Sequence, residues 1–330
     1  MVTVYPNSDV KDDDQLRVFL PKGNLAKIQA IKNKLPPLPK HVCMDVITMC
    51  ENALIKKYSG KKDLGSVWID PQLKDYIVPF SQRADSKGLR LVSRGSKLPF
   101  PKGNTLRFFC WWKESAQERV DLDLSAVLYN DKWDDMCRIS YTNLKAKDIN
   151  SCHSGDITSA PKGACEFIDI DIESALAQGV RYVTMSVLSY SSQSFQNIPE
   201  AFCGWMGRQH PKSGEIFDPK TVQDKIDLVG EAKMYIPLVF DLKTRRAIYA
   251  DMPITSNNGG LINVEANMST LALMGNSITN WNKMDLHTLF TLHGKARGEI
   301  VERVDDADII FSVDHGITPF DIDVITADFI

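Results

Sequence analysis

The sequence predicts a mainly β protein, an antiparallel β-sandwich with flanking helical segments, and three observations carry that expectation. From residue 105 onward, short runs of strand type follow one another, separated by turn residues. Residues 120–129 alternate, with Val120, Leu122, Leu124, Ala126 and Leu128 on one side and Asp121, Asp123 and Ser125 on the other. That period of two is the mark of a strand with one buried face. Little helical periodicity intervenes before residue 257, which favours two packed sheets over alternating strands and helices.

Taken in order, residues 17–20 read as a short strand, and the proline-rich segment 35–39 halts the chain before a helix expected from about 41 to 58. Val42, Val46, Met49, Cys50, Ala53 and Leu54 recur there at helical spacing and predict one inward face. Lys56 and Lys57 stand at the negative end of the helix dipole, and Gly60 supplies a left-handed stop. Segments 67–69 and 76–80 are strand-like. Further strands are expected at 106–112, 120–129, 137–141, 167–172, 181–190, 201–206, 234–242 and 246–251. Beyond 257 two apolar stripes, one through Met268, Leu271 and Ala272 and one through Leu286, Leu289, Phe290, Leu292 and His293, predict helices flanking the sandwich. Asp285 is the expected N-cap of the second helix, Gly294 or Gly298 its stop, and residues 308–313 an edge strand. The expected organisation is an N-terminal extension over 1–104, the sandwich over 105–257 and a C-terminal helical segment over 258–330.

Composition narrows the function classes. At roughly 150 residues per domain, 330 residues correspond to about two domains. Hydrophobic residues at 43% and charged residues at 25% exclude wholesale disorder. The net charge of −3 gives the whole chain no pull toward nucleic acid or an anionic membrane, so such a partner requires a local patch. Seven scattered cysteines without a C-x-x-C pair speak against a disulfide framework or zinc knuckle. Asp9, Asp12, Asp13 and Asp14 occupy the place where a signal peptide is basic, and no apolar run approaches the ~18 residues of a membrane span. A reducing, cytoplasmic location is expected.

Two constellations carry chemistry. Asp121 and Asp123 project from one face of a strand, and the loop His153-Ser-Gly-Asp156 follows about thirty residues later. Hard cations take such oxygen clusters, although EF-hand spacing is absent, and the same carboxylates also suit the solvated side of a strand and an Asx turn. Second, Arg83, Lys87, Arg90, Arg94, Lys97, Lys102 and Arg107 face the single acid Asp85 between 81 and 107. Arg83, Arg90, Arg94 and Arg107, with Phe100, Phe108 and Trp111 nearby, make an anion-binding or nucleic-acid-binding segment the alternative function. The same residues also suit a solvated face or pairing with acids of the sandwich. Cys152 and His153 are neighbours that point apart in extended chain, a poor basis for a nucleophile pair. No G-x-S-x-G, G-x-x-x-x-G-K-[ST] or G-x-G-x-x-G motif occurs. Trp111, Trp112, Trp133 and Trp205 are expected in the core.

Asp121-Leu-Asp-Leu-Ser-Ala126, Tyr141-Thr-Asn-Leu144, His153-Ser-Gly-Asp156, Glu166-Phe-Ile-Asp-Ile170 and the stretch 195–205 resemble, in order and at similar separations, the TerD domain of tellurium-resistance and stress proteins. The resemblance spans about 105–257 and is to an extended form with additions at both ends. It implies a β-sandwich that binds calcium, one or two ions, near one end, with no established catalytic activity. It also implies a non-enzymatic scaffold or interaction role beside other proteins of a stress or resistance complex. Carried over by position, it implies Asp121, Asp123 and Asp156 as central ligands, Asn143 as a neutral oxygen donor and Glu166 as a peripheral carboxylate. This sequence departs from the family where a Gly, Asp and Glu-rich loop gives way to residues 159–165 and where Ile157 replaces an asparagine. Lys162 falls where it can fill a vacated cation position by its own charge.

Overall fold

The strand-type runs between residues 105 and 254 become strands of two antiparallel sheets. The structure is a computed structural model that describes residues 16–19, 29–32, 38–80, 87–88, 92–99, 103–208, 224–254, 264–281 and 283–330. Its described residues divide into two compact units, the first within 1–19, 29–82 and 281–330 and the second within 83–280.

The first unit opens with strands β1 (Leu16–Phe19) and β2 (Gln29–Lys32), an antiparallel pair, followed by helix α1 (Lys40–Tyr58) and strand β3 (Ser66–Ile69). In the second unit the chain builds β4 (Lys87–Gly88), β5 (Lys97–Pro99), β6 (Thr105–Lys113), β7 (Leu122–Tyr129) and β8 (Asp135–Ile139). Next come β9 (Lys145–Ala146), β10 (Ser151–His153), β11 (Ala164–Asp171), the short helix α2 (Ile172–Ala177) and β12 (Tyr182–Ser189). The unit closes with β13 (Glu200–Arg208), β14 (Asp224–Asp227), β15 (Met234–Asp241), β16 (Arg246–Ile254) and helix α3 (Val264–Thr279). Among the described residues, one sheet has the order β4-β14-β13-β6-β11-β10-β9 and the other β5-β16-β15-β12-β7-β8.

The core between the sheets is apolar. Leu106, Phe108 and Trp112 of β6 are buried there, as are Leu122, Leu124, Ala126 and Leu128 of β7. Phe108 stacks on Phe240 with ring centroids 5.6 Å apart, and Trp205 meets Phe240 edge-on at 6.2 Å. Each such side chain contributes about 1.5–3 kcal/mol on burial. Trp112 donates its ring N–H to the Val120 carbonyl at 3.0 Å, which fixes the approach to β7. Trp111 instead lies half-buried on the opposite face of β6, stacked on Phe202 at 5.0 Å.

The outer side of β7 is also buried, contrary to the solvated side that alternation predicts. Asp121, Asp123, Ser125, Val127 and Tyr129 all lie out of water. Helix α3 packs over β7, β12 and β16, turning buried Leu271, Met274 and Ile278, spaced by three and four, to one side. Gly275 is required there, because a Cβ would run into the ring of Trp133.

One anion-binding candidate is placed in the interior. Arg107 of β6 is 1% exposed and lies opposite Asp169 of β11, donating from Nε and a terminal nitrogen to its two oxygens at 2.6 Å each. Its guanidinium also covers the Phe167 ring at 3.9 Å. Both fork positions are therefore committed, and Arg107 does not face a solvent anion. Arg94 is bonded to Asp251, and Arg83 and Arg90 fall outside the described residues.

The remainder of the first unit is helix α4 (Leu286–Arg297) with strands β17 (Glu299–Ile300) and β18 (Ile309–Phe311), which flank β3 in parallel. Asp285 caps α4, accepting from the Thr288 N–H at 2.7 Å, and Gly298 ends it. Helix α4 thus belongs with α1 and β3, not with the sandwich as its apolar stripe alone implies. Of the expected strand at 76–80, the structure keeps a single bridge, Ile77 to Asp285. The face of α1 is likewise corrected: Val42, Val46, Met49, Cys50 and Ala53 are exposed, whereas Cys43 and Tyr58 are buried. Two apolar stripes run along this helix, so periodicity does not choose between them.

Tyr58 stacks on His293 with centroids 3.8 Å apart. The Nδ1 of His293 accepts from Arg297 Nε at 3.0 Å, so Nε2 carries the proton and donates to the Phe329 carbonyl at 2.9 Å. Burial, the largest cause, pushes this imidazole down to about 4 against the upward pull of the Phe329 bond, with the positive charges of Arg297, Lys61 and Lys57 lowering it further. Because the unfolded chain binds this proton more readily, stability falls as pH drops from about 6.5 toward 4. Ring resonances of His293 are expected to titrate near pH 4 by NMR; titration near 6.5 contradicts this packing. In urea denaturation, Asp169→Ala is expected to cost about 3–5 kcal/mol by stranding the Arg107 charge, and a loss below about 1 kcal/mol contradicts the buried pair.

Candidate metal centre

The start of β7 places its acids by strand geometry alone. Residues two apart share a face, so Asp121 and Asp123 point the same way, and Arg119 falls into the same phase. Pairing holds this end of the strand extended: Tyr190 N–H donates to the Asp121 carbonyl at 2.9 Å, and Asp121 N–H donates to Ser191 Oγ at 3.1 Å. Gln193 Nε2 donates to the Arg119 carbonyl at 2.9 Å, so the loop after β12 braces the strand start.

The third acid arrives on the loop after β10. Gly155 has φ of +123°, a conformation open to glycine and poorly tolerated by other residues. Its N–H donates to His153 Nδ1 at 3.0 Å, which leaves His153 Nε2 to donate to the Leu124 carbonyl at 3.1 Å. The histidine thereby joins the loop to β7. Beyond Asp156, each residue up to Ala160 is tied down. Ile157 N–H donates to Glu166 Oε1 at 2.9 Å, and the Thr158 carbonyl accepts from Arg119 Nε at 2.6 Å. Ser159 Oγ and Ala160 N–H donate to Glu114 at 3.0 and 2.9 Å. The backbone donors at Ala160 and Val120 hold the Glu114 carboxyl below the usual range.

These elements converge on one point. Asp121, Asp123 and Asp156 each offer a carboxylate oxygen, and the three oxygens lie within 4.8 Å of one another. Asp121 and Asp123 are buried and Asp156 is exposed, giving the cluster an open side. Oδ2 of Asp121 takes a hydrogen bond from Arg119 at 3.2 Å, while its buried Oδ1 has no hydrogen-bond partner. Burial, then the neighbouring charge of Asp156, raises the Asp121 carboxyl above its ordinary range, against the lowering effect of Arg119. Ionising Asp121 therefore costs folding stability as pH rises through its raised pKa.

Two predicted ligands have other uses. Glu166 is fully buried and accepts from Leu124 N–H at 3.0 Å through Oε2 and from Ile157 N–H through Oε1. It ties β7 to the loop directly behind the three acids. The Nδ2 of Asn143 donates to the Arg138 carbonyl at 2.7 Å, fixing the turn after β8. Lys162 is exposed. Arg119, two residues before Asp121, is a cation that touches the cluster, and it is not among the motif residues.

The donor set fits a hard divalent ion. Two oxygens at 2.3–2.6 Å from one ion are at most about 5 Å apart, and the three carboxylate oxygens satisfy that limit. The orphaned Asp121 Oδ1 is the atom such an ion would satisfy.

A two-sheet antiparallel sandwich carrying a cluster of three carboxylates is the class that fold and site define. Two solved structures are similar to part of this chain. One is the crystal structure of a homologue of the telluride resistance protein TerD from Streptomyces coelicolor A3(2), at 12% identity and a TM-score of 0.38, covering 47% of this chain and 92% of that one. The other is the crystal structure of a protein of unknown function, at 14% identity and a TM-score of 0.35, covering 46% of this chain and 94% of that one. No protein-family model matches the sequence, and no curated protein matches it. Among the described residues no helix is long and apolar enough to cross a membrane.

Glu166→Gln tests the brace. The amide can accept through only one of the two positions that now receive backbone N–H groups, so thermal or urea unfolding is expected to show a loss of about 2–4 kcal/mol. Unchanged stability contradicts the assignment.

Proposed function

We propose that this protein is a non-enzymatic, calcium-binding sandwich that serves as a scaffold or interaction component. The observation that carries the reading is the convergence of Asp121, Asp123 and Asp156 with a buried, unsatisfied Asp121 oxygen between strand and loop. All three donors are hard oxygens and none is a thiolate or imidazole, which favours calcium or magnesium over zinc or copper. Calcium is preferred because it accepts irregular sets of six to eight oxygens, with carbonyls and water completing the shell, whereas magnesium demands a near-octahedral site. The motif residues shared with TerD domains support the same choice and a place among proteins of a stress or resistance complex.

The site is built before an ion arrives. Glu114, Glu166 and Arg119 already hold residues 157–160, so calcium adds charge balance to a formed loop, and little ordering free energy is lost on binding. A partner then meets a sandwich end whose net charge depends on ion occupancy. The reading through anion or nucleic-acid binding draws less support, since Arg107 is buried on Asp169 and Arg94 is engaged by Asp251.

Differential scanning fluorimetry tests the proposal. Calcium at about 100 times its dissociation constant is expected to add about 2.7 kcal/mol and raise the melting temperature by several degrees. Asp123→Asn is expected to abolish the shift. A melting curve unmoved by millimolar calcium overturns the reading.

A further inference from the structure

We infer that Arg119 is a built-in counter-cation of the metal centre, one that sets how tightly the site holds a divalent ion and limits it to a single ion. The inference rests on the cation-binding reading above and adds to it the control of affinity by a residue of this chain.

The geometry is a bridge. Arg119 reaches from the loop before β7 to both halves of the site, donating from Nε to the Thr158 carbonyl at 2.6 Å and from a terminal nitrogen to Asp121 Oδ2 at 3.2 Å. Its side chain is 61% exposed while that of Asp121 is 5% exposed, so the guanidinium closes over the acid from the solvent side. Asp121 keeps one oxygen for Arg119 and leaves Oδ1 without a hydrogen-bond partner. An ion can therefore take Oδ1, with Asp123 and Asp156, while Arg119 stays on Oδ2.

Charge counting gives the consequence. Asp121, Asp123, Asp156 and the adjoining Glu166 bring four carboxylates to this end of the sandwich, and Arg119 brings a positive charge into hydrogen-bond contact with Asp121. One divalent ion plus the guanidinium leaves a small residual charge, and a second ion finds its position on Asp121 already taken. A unit positive charge about 6 Å from a divalent ion at a water-like dielectric weakens its binding about tenfold. Arg119 thus protects the metal-free fold from carboxylate repulsion at the expense of ion affinity. If Arg119 instead only positions Asp121 and the loop, its removal weakens binding, so the two roles differ in sign.

Isothermal titration of the full chain with calcium chloride, for the parent protein, Arg119→Gln and Arg119→Lys, separates them. The parent is expected to bind one ion, Arg119→Gln to bind about tenfold more tightly, and Arg119→Lys, which keeps the charge, to stay within about threefold of the parent. Raising the salt to about 1 M is expected to shrink the difference between the parent and Arg119→Gln. Equal or weaker binding by Arg119→Gln, with the parent binding normally, overturns this inference alone. No heat of binding in any of the three proteins overturns the calcium reading and this inference with it.

Discussion

Like charges held a few ångströms apart and away from water repel strongly, and the repulsion among Asp121, Asp123 and Asp156 sets what the rest of the sandwich must supply. Two of these acids sit on a strand whose other face fills the core, so they cannot turn away without unpairing β7. The third is delivered by a loop held on both sides. The fold answers with a guanidinium on Asp121, backbone N–H groups on Glu114 and Glu166, and a histidine fixed in one tautomer. Those contacts hold the strand and loop that carry the acids, and Asp121 Oδ1 keeps no hydrogen-bond partner.

The scaffold makes this arrangement possible by being stiff. Two sheets packed through Phe108, Trp205 and Phe240 fix the end of β7 relative to β11 and β12, and α3 packs over β7, β12 and β16, while of the three acids Asp121 and Asp123 are buried and Asp156 is exposed. The buried pair of Arg107 and Asp169 works on the outer face of the other sheet, locking the register of β6 against β11. Register matters at the site because Glu166 lies on β11, three residues before Asp169, and a shift of one residue turns its carboxylate out of the core.

Much of this was legible in the sequence where one residue type repeats at a fixed period. The long strands at 105–113, 122–129, 182–189, 234–241 and 246–254 follow from alternation or continuous apolar runs. The two-residue strands β4 and β9 carry no period at all, and β10 and β14 are little longer. Helix α1 misleads because Val42, Val46 and Met49 form as regular a stripe as the face that ends in buried Tyr58. At the site, Asp121 and Asp123 were readable from their spacing and Asp156 from its glycine loop. The roles of Arg119 and Glu114 were not, since their partners Thr158, Ser159 and Ala160 lie some forty residues downstream in a loop without pattern. Arg107 read as a surface cation because a single sequence does not show that register sets Asp169 opposite it.

A crystal structure of the protein grown with calcium bears most directly on the central claim. The account requires one ion at 2.3–2.6 Å from carboxylate oxygens of Asp121, Asp123 and Asp156, with Arg119 still on the second oxygen of Asp121. Density without an ion at that point, the three side chains hydrated separately or turned apart, contradicts it.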